Sequence, residues 1–206
     1  MKSYSLSRQD PAADGRPDWN AVTPLTDFIF PWTDREPPAT TFHACLLDDD
    51  FHFRFDVEDK DIVLGNSPNN DDNVLGSDRA EIFFAADPDL NEYYCFEIDP
   101  RGLVFECRMQ HYRKMDDSWS CPGLEVVAFL TSNGYQIDGQ LPLQTLRDLK
   151  VLKSSSPEII AGVYRAEFSH EGEYEIAEDW ISWIDPETDT PDFHVPASFG
   201  RFILPQ

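Results

Sequence analysis

Residues 51–58 alternate without a fault, with Phe51, Phe53, Phe55 and Val57 on one side and His52, Arg54, Asp56 and Glu58 on the other. A period of two is the signature of a strand with one face buried. In the stretch before it, 41–47, Phe42, Ala44 and Leu46 share a face. Asp48-Asp49-Asp50 supplies the turn, since aspartate tolerates positive φ. The two stretches predict a hairpin pairing Leu46 with Phe51, which sets Cys45 across from His52, on the face of His43 and Arg54. Further strands are predicted over 79–85, 92–98, 103–109, 159–168 and 201–204, with 124–130 and 135–141 paired around Ser132-Asn133-Gly134. Pro142 opens a short helix carrying Leu143, Leu146 and Leu149. The Asn- and Asp-rich stretch 59–77 reads as a long loop. Residues 1–40, proline-rich and without periodic runs, read as an irregular segment packed on the rest, with Asp14-Gly15-Arg16-Pro17-Asp18-Trp19 a turn that delivers Trp19 into the core. Regularly spaced strands with one short helix predict an all-β fold, an antiparallel β-sandwich of jelly-roll or immunoglobulin-like type, with residues 1–206 forming a single domain.

Composition narrows the partners more than the fold. The chain has 206 residues, 41% of them hydrophobic and 13% aromatic, enough for a core without disulfide or metal staples. Its 39 acidic residues stand against 16 basic ones, for a formal net charge of −23. Nucleic acid and anionic membranes are repelled by such a surface, and neutral ligands are not. No apolar stretch approaches membrane-spanning length, so no membrane insertion is expected. The start, Met1-Lys2-Ser3-Tyr4-Ser5-Leu6-Ser7, lacks the apolar run of a signal peptide. The expectation is a cytoplasmic protein, or an extracellular or periplasmic one from which a signal has been trimmed.

Cys45, Cys95, Cys107 and Cys121 show no zinc-ligand spacing. Pairing Ile98 with Leu103 across the turn Asp99-Pro100-Arg101-Gly102 sets Phe96 against Phe105 and Tyr94 against Cys107. That register sends Cys95 and Cys107 to opposite faces and predicts free thiols. A register shifted by one, with a bulge at Gly102, would set the two cysteines opposite each other.

Three stretches together resemble the family 9 carbohydrate-binding modules, sugar-binding sandwiches often attached to xylanases. They are Asp14-Gly15 followed by Trp19; Ser77-Asp78-Arg79-Ala80-Glu81-Ile82-Phe83-Phe84; and Ile181-Ser182-Trp183 with Asp185-Pro186 and, later, Pro196-Ala197-Ser198-Phe199-Gly200. Their order and spacing cover the chain from about residue 10 to its end. The resemblance implies a non-catalytic site in which two tryptophans sandwich a sugar ring, acting alongside glycoside hydrolases in polysaccharide degradation. A pyranose has an apolar C–H face that stacks on an aromatic ring, while polar side chains bond its hydroxyls. The resemblance puts Glu81 at the sugar-binding glutamate, Leu75 and Phe193 at the two tryptophans, and Glu97 at an arginine that contacts sugar hydroxyls.

The expected ligand is therefore a neutral sugar or glycan end. Glu81 is expected to accept hydroxyl hydrogen bonds and Phe193 to stack, with His194 and Glu97 nearby and the loop aromatics Trp119 and Tyr112 replacing the lost tryptophan. Trp19 and Trp183 match structural positions of the family and are expected in the core. Two rivals stay open. One is a structural or protein-interaction sandwich with a vacated site, which predicts a flat or plugged surface beside Glu81. The other is a glycoside hydrolase using Glu81 and Glu97 as its acid and base. No cofactor is required. The acidic residues Asp56, Glu58, Asp59, Asp61, Asp71, Asp72 and Asp78 form either a solvated loop or a structural calcium site, which the resemblance also implies, with Asp59, Asp61 and Asp78 as candidate ligands. Cys45 and His52 lack the further ligands that zinc or copper needs.

Overall fold

The computed structural model describes residues 2–172 and 175–205. Thirteen strands form two stacked sheets. In chain order they are β1 (Ser3–Ser5), β2 (Ser7–Gln9), β3 (Thr40–Leu47), β4 (Asp50–Glu58), β5 (Arg79–Ala85), β6 (Tyr93–Ile98), β7 (Val104–Gln110), β8 (Lys114–Asp116), β9 (Glu125–Thr131), β10 (Gly134–Pro142), β11 (Glu158–His170), β12 (Ile176–Ser182) and β13 (Gly200–Ile203). Two short helices, α1 (Asn70–Leu75) and α2 (Leu143–Asp148), interrupt them. The five-stranded sheet runs β2-β3-β4-β10-β9, and the eight-stranded sheet runs β1-β13-β11-β5-β6-β7-β8 with β12 also on β11. The all-β sandwich is what the alternation dictates.

The hairpin of β3 and β4 pairs Leu46 with Phe51 and Cys45 with His52, as its period-two pattern requires. Its inward rings meet those of the other sheet: Phe51 lies edge-on to Phe84 at 5.6 Å, and Phe42 stacks on Phe202 at 5.7 Å. Burying each such side chain contributes about 1.5–3 kcal/mol. Trp183 closes this core, 2% exposed. Strands β5 and β6 are buried along their whole length. A second apolar cluster, with Phe83, Tyr93, Tyr164, Phe193 and Phe199, covers the outer face of the eight-stranded sheet. A strand covered on both faces loses the alternation of a half-buried one, which is why Ile82-Phe83-Phe84 reads as a continuous apolar run.

Four local expectations are corrected. The β6–β7 register is the shifted one, with Ile98 opposite Val104, Tyr94 opposite Arg108 and Cys95 opposite Cys107. The cause is Asp99, fully buried, whose carboxylate accepts the Arg101 N–H at 2.8 Å and the Leu103 N–H at 3.0 Å. With Gly102 at φ +81°, where glycine is favoured, this fixes a five-residue turn over 99–103. All four cysteines are nevertheless free. Residues 1–40 are not wholly irregular: β1 pairs with β13 and β2 with β3, both in parallel, so the sandwich is not purely antiparallel. The 59–77 loop holds α1, capped by the Asn69 side chain on the Asp71 N–H. Trp19 is half-buried on the outer face of the five-stranded sheet, its ring over the Arg54 guanidinium at 5.1 Å, not in the core.

Candidate functional site

A cleft of about 600 Å³ opens on the outer face of the eight-stranded sheet. The alternation of β5, β6 and β7 builds its floor, because Arg79, Glu81, Glu97, Phe105, Cys107 and Met109 all point to this side. Trp180 of β12 and the segment 191–194 make one wall; Leu75 of α1, Arg113 and Met115 of β8 make the other lining. Leu75 and Met115 are 40% and 55% exposed, so apolar surface faces the opening.

Glu81 and Glu97 are directly opposed across β5 and β6. Arg79, two residues before Glu81, lies between them. Its Nε is 3.0 Å from Glu81 Oε1, but the one hydrogen it carries is directed at Glu97 Oε2, 2.7 Å away. Its Nη1 donates to the carbonyls of Leu75 and Ser77. Glu81 Oε1 is thereby left with no hydrogen-bond donor among the described residues, although the side chain is 2% exposed. Burial, and then the charge of Glu97, push the Glu81 carboxyl up to about 8 against the opposing pull of Arg79. Near neutral pH the protonated form of Glu81 is therefore favoured. Glu97 stands where the resemblance puts an arginine, and the guanidinium comes instead from Arg79 on the neighbouring strand.

The far wall is held by a second ion pair. Asp192 accepts the Tyr112 hydroxyl at 2.5 Å, the Arg113 guanidinium at 2.8 Å and the His194 N–H at 2.9 Å. Burial works against its ionisation, and these three donors outweigh it, so its carboxyl sits below the ordinary range. The His194 imidazole is pushed down to about 4, first by burial and then by Arg113, and is neutral. Its Nδ1 lies 3.0 Å from the Tyr93 hydroxyl.

The structure thus gathers Glu81, Glu97, Phe193 and His194 in one cleft. Phe193 is 5% exposed, its ring stacked on Tyr164 at 4.3 Å. Tyr164 can lie there because Gly162 has no Cβ: one would stand 1.9 Å from the Tyr164 hydroxyl. Phe193 therefore spends a face internally and shapes the wall, and the half-buried aromatic at the opening is Trp180. Tyr112 reaches the cleft only through Asp192. Trp119 is not in it. That ring packs on Tyr94 at 4.9 Å and Phe96 at 6.1 Å, which face the core between the sheets, on the other side of β6. Arg79, Arg113, Met115, Trp180 and Asp192 were not legible as site residues. For Arg79 the signal existed, because i and i+2 on a strand share a face with Glu81.

The candidate calcium ligands separate. Asp61 is exposed and accepts the His170 N–H at 2.7 Å. Asp59 and Asp78 are buried beside Glu167, away from the cleft. Both oxygens of Asp78 accept backbone N–H groups, of Val63 and Phe168, at 2.6 Å. The fully buried Arg165 hydrogen-bonds Glu167, lies 3.6 Å from Asp59 and donates to Thr40. Calcium takes six to eight oxygens, and this donor set does not fit it. A guanidinium already stands among the carboxylates, and both oxygens of Asp78 are taken by backbone N–H groups.

The fold has close relatives in shape. A protein from Bacteroides uniformis ATCC 8492, named provisionally as carbohydrate-binding, superposes with a TM-score of 0.75 at 16% identity over 99% of each chain. A family 9 carbohydrate binding module from Caldicellulosiruptor kristjanssonii, in complex with glucose, superposes at 0.63 and 15% identity over 99% of this chain and 96% of that one. Its complex with cellotriose gives the same TM-score and identity, over 98% and 93%. No curated protein sequence matches. The sequence profile of the family described as "Carbohydrate family 9 binding domain-like" matches residues 13–206, nearly the whole chain, and the protein belongs to that family.

Proposed function

We propose that the protein is a non-catalytic carbohydrate-binding domain whose cleft takes a neutral sugar or glycan end. The observation that carries this is the open cleft itself, floored by Arg79, Glu81 and Glu97 and flanked by Trp180 and the exposed Leu75 and Met115. Asp192, Arg113 and His194 in its lining are hydrogen-bonding groups that can meet sugar hydroxyls. Trp180 and the exposed Leu75 and Met115 give the C–H face of a ring an apolar wall. An open cleft in this place runs against a vacated, plugged surface. The glycosidase reading has less behind it. Glu81 and Glu97 sit side by side on the floor of the cleft and share one guanidinium, whereas hydrolysis needs two carboxyls flanking the scissile bond. Family membership and the glucose and cellotriose complexes of one structural relative support the same reading.

The test is titration calorimetry with glucose, cellotriose and a panel of other neutral mono- and oligosaccharides. At least one is expected to bind, with affinity reduced about fivefold to tenfold in Glu81→Ala and in Trp180→Ala, the energy of about one neutral hydrogen bond or one aromatic contact. No heat with any sugar, or binding indifferent to both substitutions, would overturn the proposal.

A further inference from the structure

A second groove, of about 290 Å³, lies on the outer face of the five-stranded sheet, with both sheets between it and the cleft. Arg16, Trp19, His52, Glu125, Val127 and Gln140 line it. Alternation along β4 and β10 sends His52, Asp138 and Gln140 outward, and the turn at Gly15 brings Trp19 down beside them. Trp19 is fixed there by contacts outside the core. Its ring covers Arg54, and Arg54 is itself held by both oxygens of Asp138, at 2.6 and 2.7 Å.

The polar groups around this indole are largely unspent. Gln140 donates its amide to Glu125 Oε2 at 2.9 Å, which leaves its own oxygen and the second oxygen of Glu125 free to accept. His52 makes no hydrogen bond to the described residues, and burial keeps its imidazole below the ordinary range, hence neutral, with one donor and one acceptor nitrogen. Val127, half exposed, adds apolar surface. A fixed indole, an aliphatic neighbour and several uncommitted hydrogen-bonding groups match a pyranose, which offers a C–H face and a rim of hydroxyls. Glu125, Asp138 and the net charge of −23 disfavour acidic sugars and phosphates.

We propose that this groove is a second carbohydrate site, taking a neutral pyranose unit of an oligosaccharide. Two sites on opposite faces would let one protein hold two glycan chains, or gain avidity on a dense polysaccharide surface.

The test is a 15N–1H NMR titration of the intact chain with cellotriose, xylotriose and mannotriose, run on the wild type, on Glu81→Ala, and on the double variant His52→Ala/Gln140→Ala. Both substituted side chains of the double variant project from a sheet face, so the fold is kept. For at least one probe, the amides of Val127 and Gln140 are expected to shift in the wild type and equally in Glu81→Ala. In the double variant these shifts are lost or need at least tenfold more sugar, while cleft shifts persist. The site would be overturned by no shift on β9 or β10 with any probe, or by shifts there that survive the double substitution unchanged. Because the groove is read through its own amides, a cleft that fails to bind is a separate result and leaves this one standing.

Discussion

Two clusters of buried charge can be set side by side. In the cleft, one guanidinium, Arg79, serves Glu81 and Glu97. Between the sheets, one guanidinium, Arg165, stands among Asp59, Asp78 and Glu167. Both hold more carboxylates than cations, and in both burial pushes carboxyls upward: Glu81 to about 8, Glu167 to about 8 and Asp78 to about 7. The difference lies in what surrounds them. The Arg79 cluster lies on the floor of an open cleft, with Trp180, Leu75 and Met115 around it. The Arg165 cluster is covered by Thr40 and Tyr135 of the opposite sheet, with only Glu167 partly exposed. The same residue types therefore line an open cleft in one place and surround a buried counter-ion in the other. Access decides which.

The strongest way to break this comparison is to remove the sealed cation. Arg165→Leu leaves three carboxyls crowded between the sheets, and stripping one partner from a buried ion pair costs about 3–5 kcal/mol. Urea denaturation is expected to show a loss of that size with sugar affinity intact. A change below about 1 kcal/mol would mean that the cluster is hydrated or neutral and needs no counter-ion.

A smaller effect joins the two clusters through pH. Asp78, Glu81 and Glu167 bind protons more tightly in the folded chain than their ordinary values of 3.8, 4.5 and 4.5 allow. Folding stability therefore falls as pH rises through that interval, because the unfolded chain holds fewer protons there. The buried imidazoles of His43, His52 and His194 act the opposite way, but only up to the ordinary value of 6.5. Between about pH 7 and 8 the carboxyls dominate, and stability is expected to drop by about 2 kcal/mol per pH unit. Glu81→Gln should flatten that slope and leave the share of Glu167 in place. A melting temperature that climbs across this window would contradict the assignment of buried protons.

The smallest expected effect is none at all. If Arg165 is the cation of the sealed cluster, adding millimolar calcium or EDTA leaves the melting temperature within about one degree. A rise of several degrees with calcium would mean that the carboxylates rearrange around the ion, and would turn this cluster into a metal site.

Legibility in the sequence followed the number of faces a segment buries. β3 and β4 bury one face each, and their alternation gave the strands, the turn and the register of Leu46 with Phe51. The three family-like stretches singled out Glu81, which lies in the cleft. The β6–β7 register failed because apolar pairing argued for one alignment and the side chain of Asp99, bonding its own turn, imposed the other. Trp119 was misplaced for a related reason. A loop tryptophan looks the same in sequence whether its strand turns it toward a cleft or onto the core.

What the sequence determined by itself is local: strand periodicity, turn chemistry, an acidic surface that favours neutral ligands, and a carboxylate pair on neighbouring strands. The periodicity and the turns depend on residues one or two positions apart, where backbone geometry fixes direction, and the charge on composition alone. Only the tertiary structure decided that Arg79 and not residue 97 supplies the guanidinium, that Trp180 and not Trp119 faces the opening, and that Glu167 and not Asp61 joins Asp59 and Asp78. Each of those outcomes turns on which strands become neighbours and which face is covered. Such long-range packing places residues dozens of positions apart within one hydrogen bond of each other.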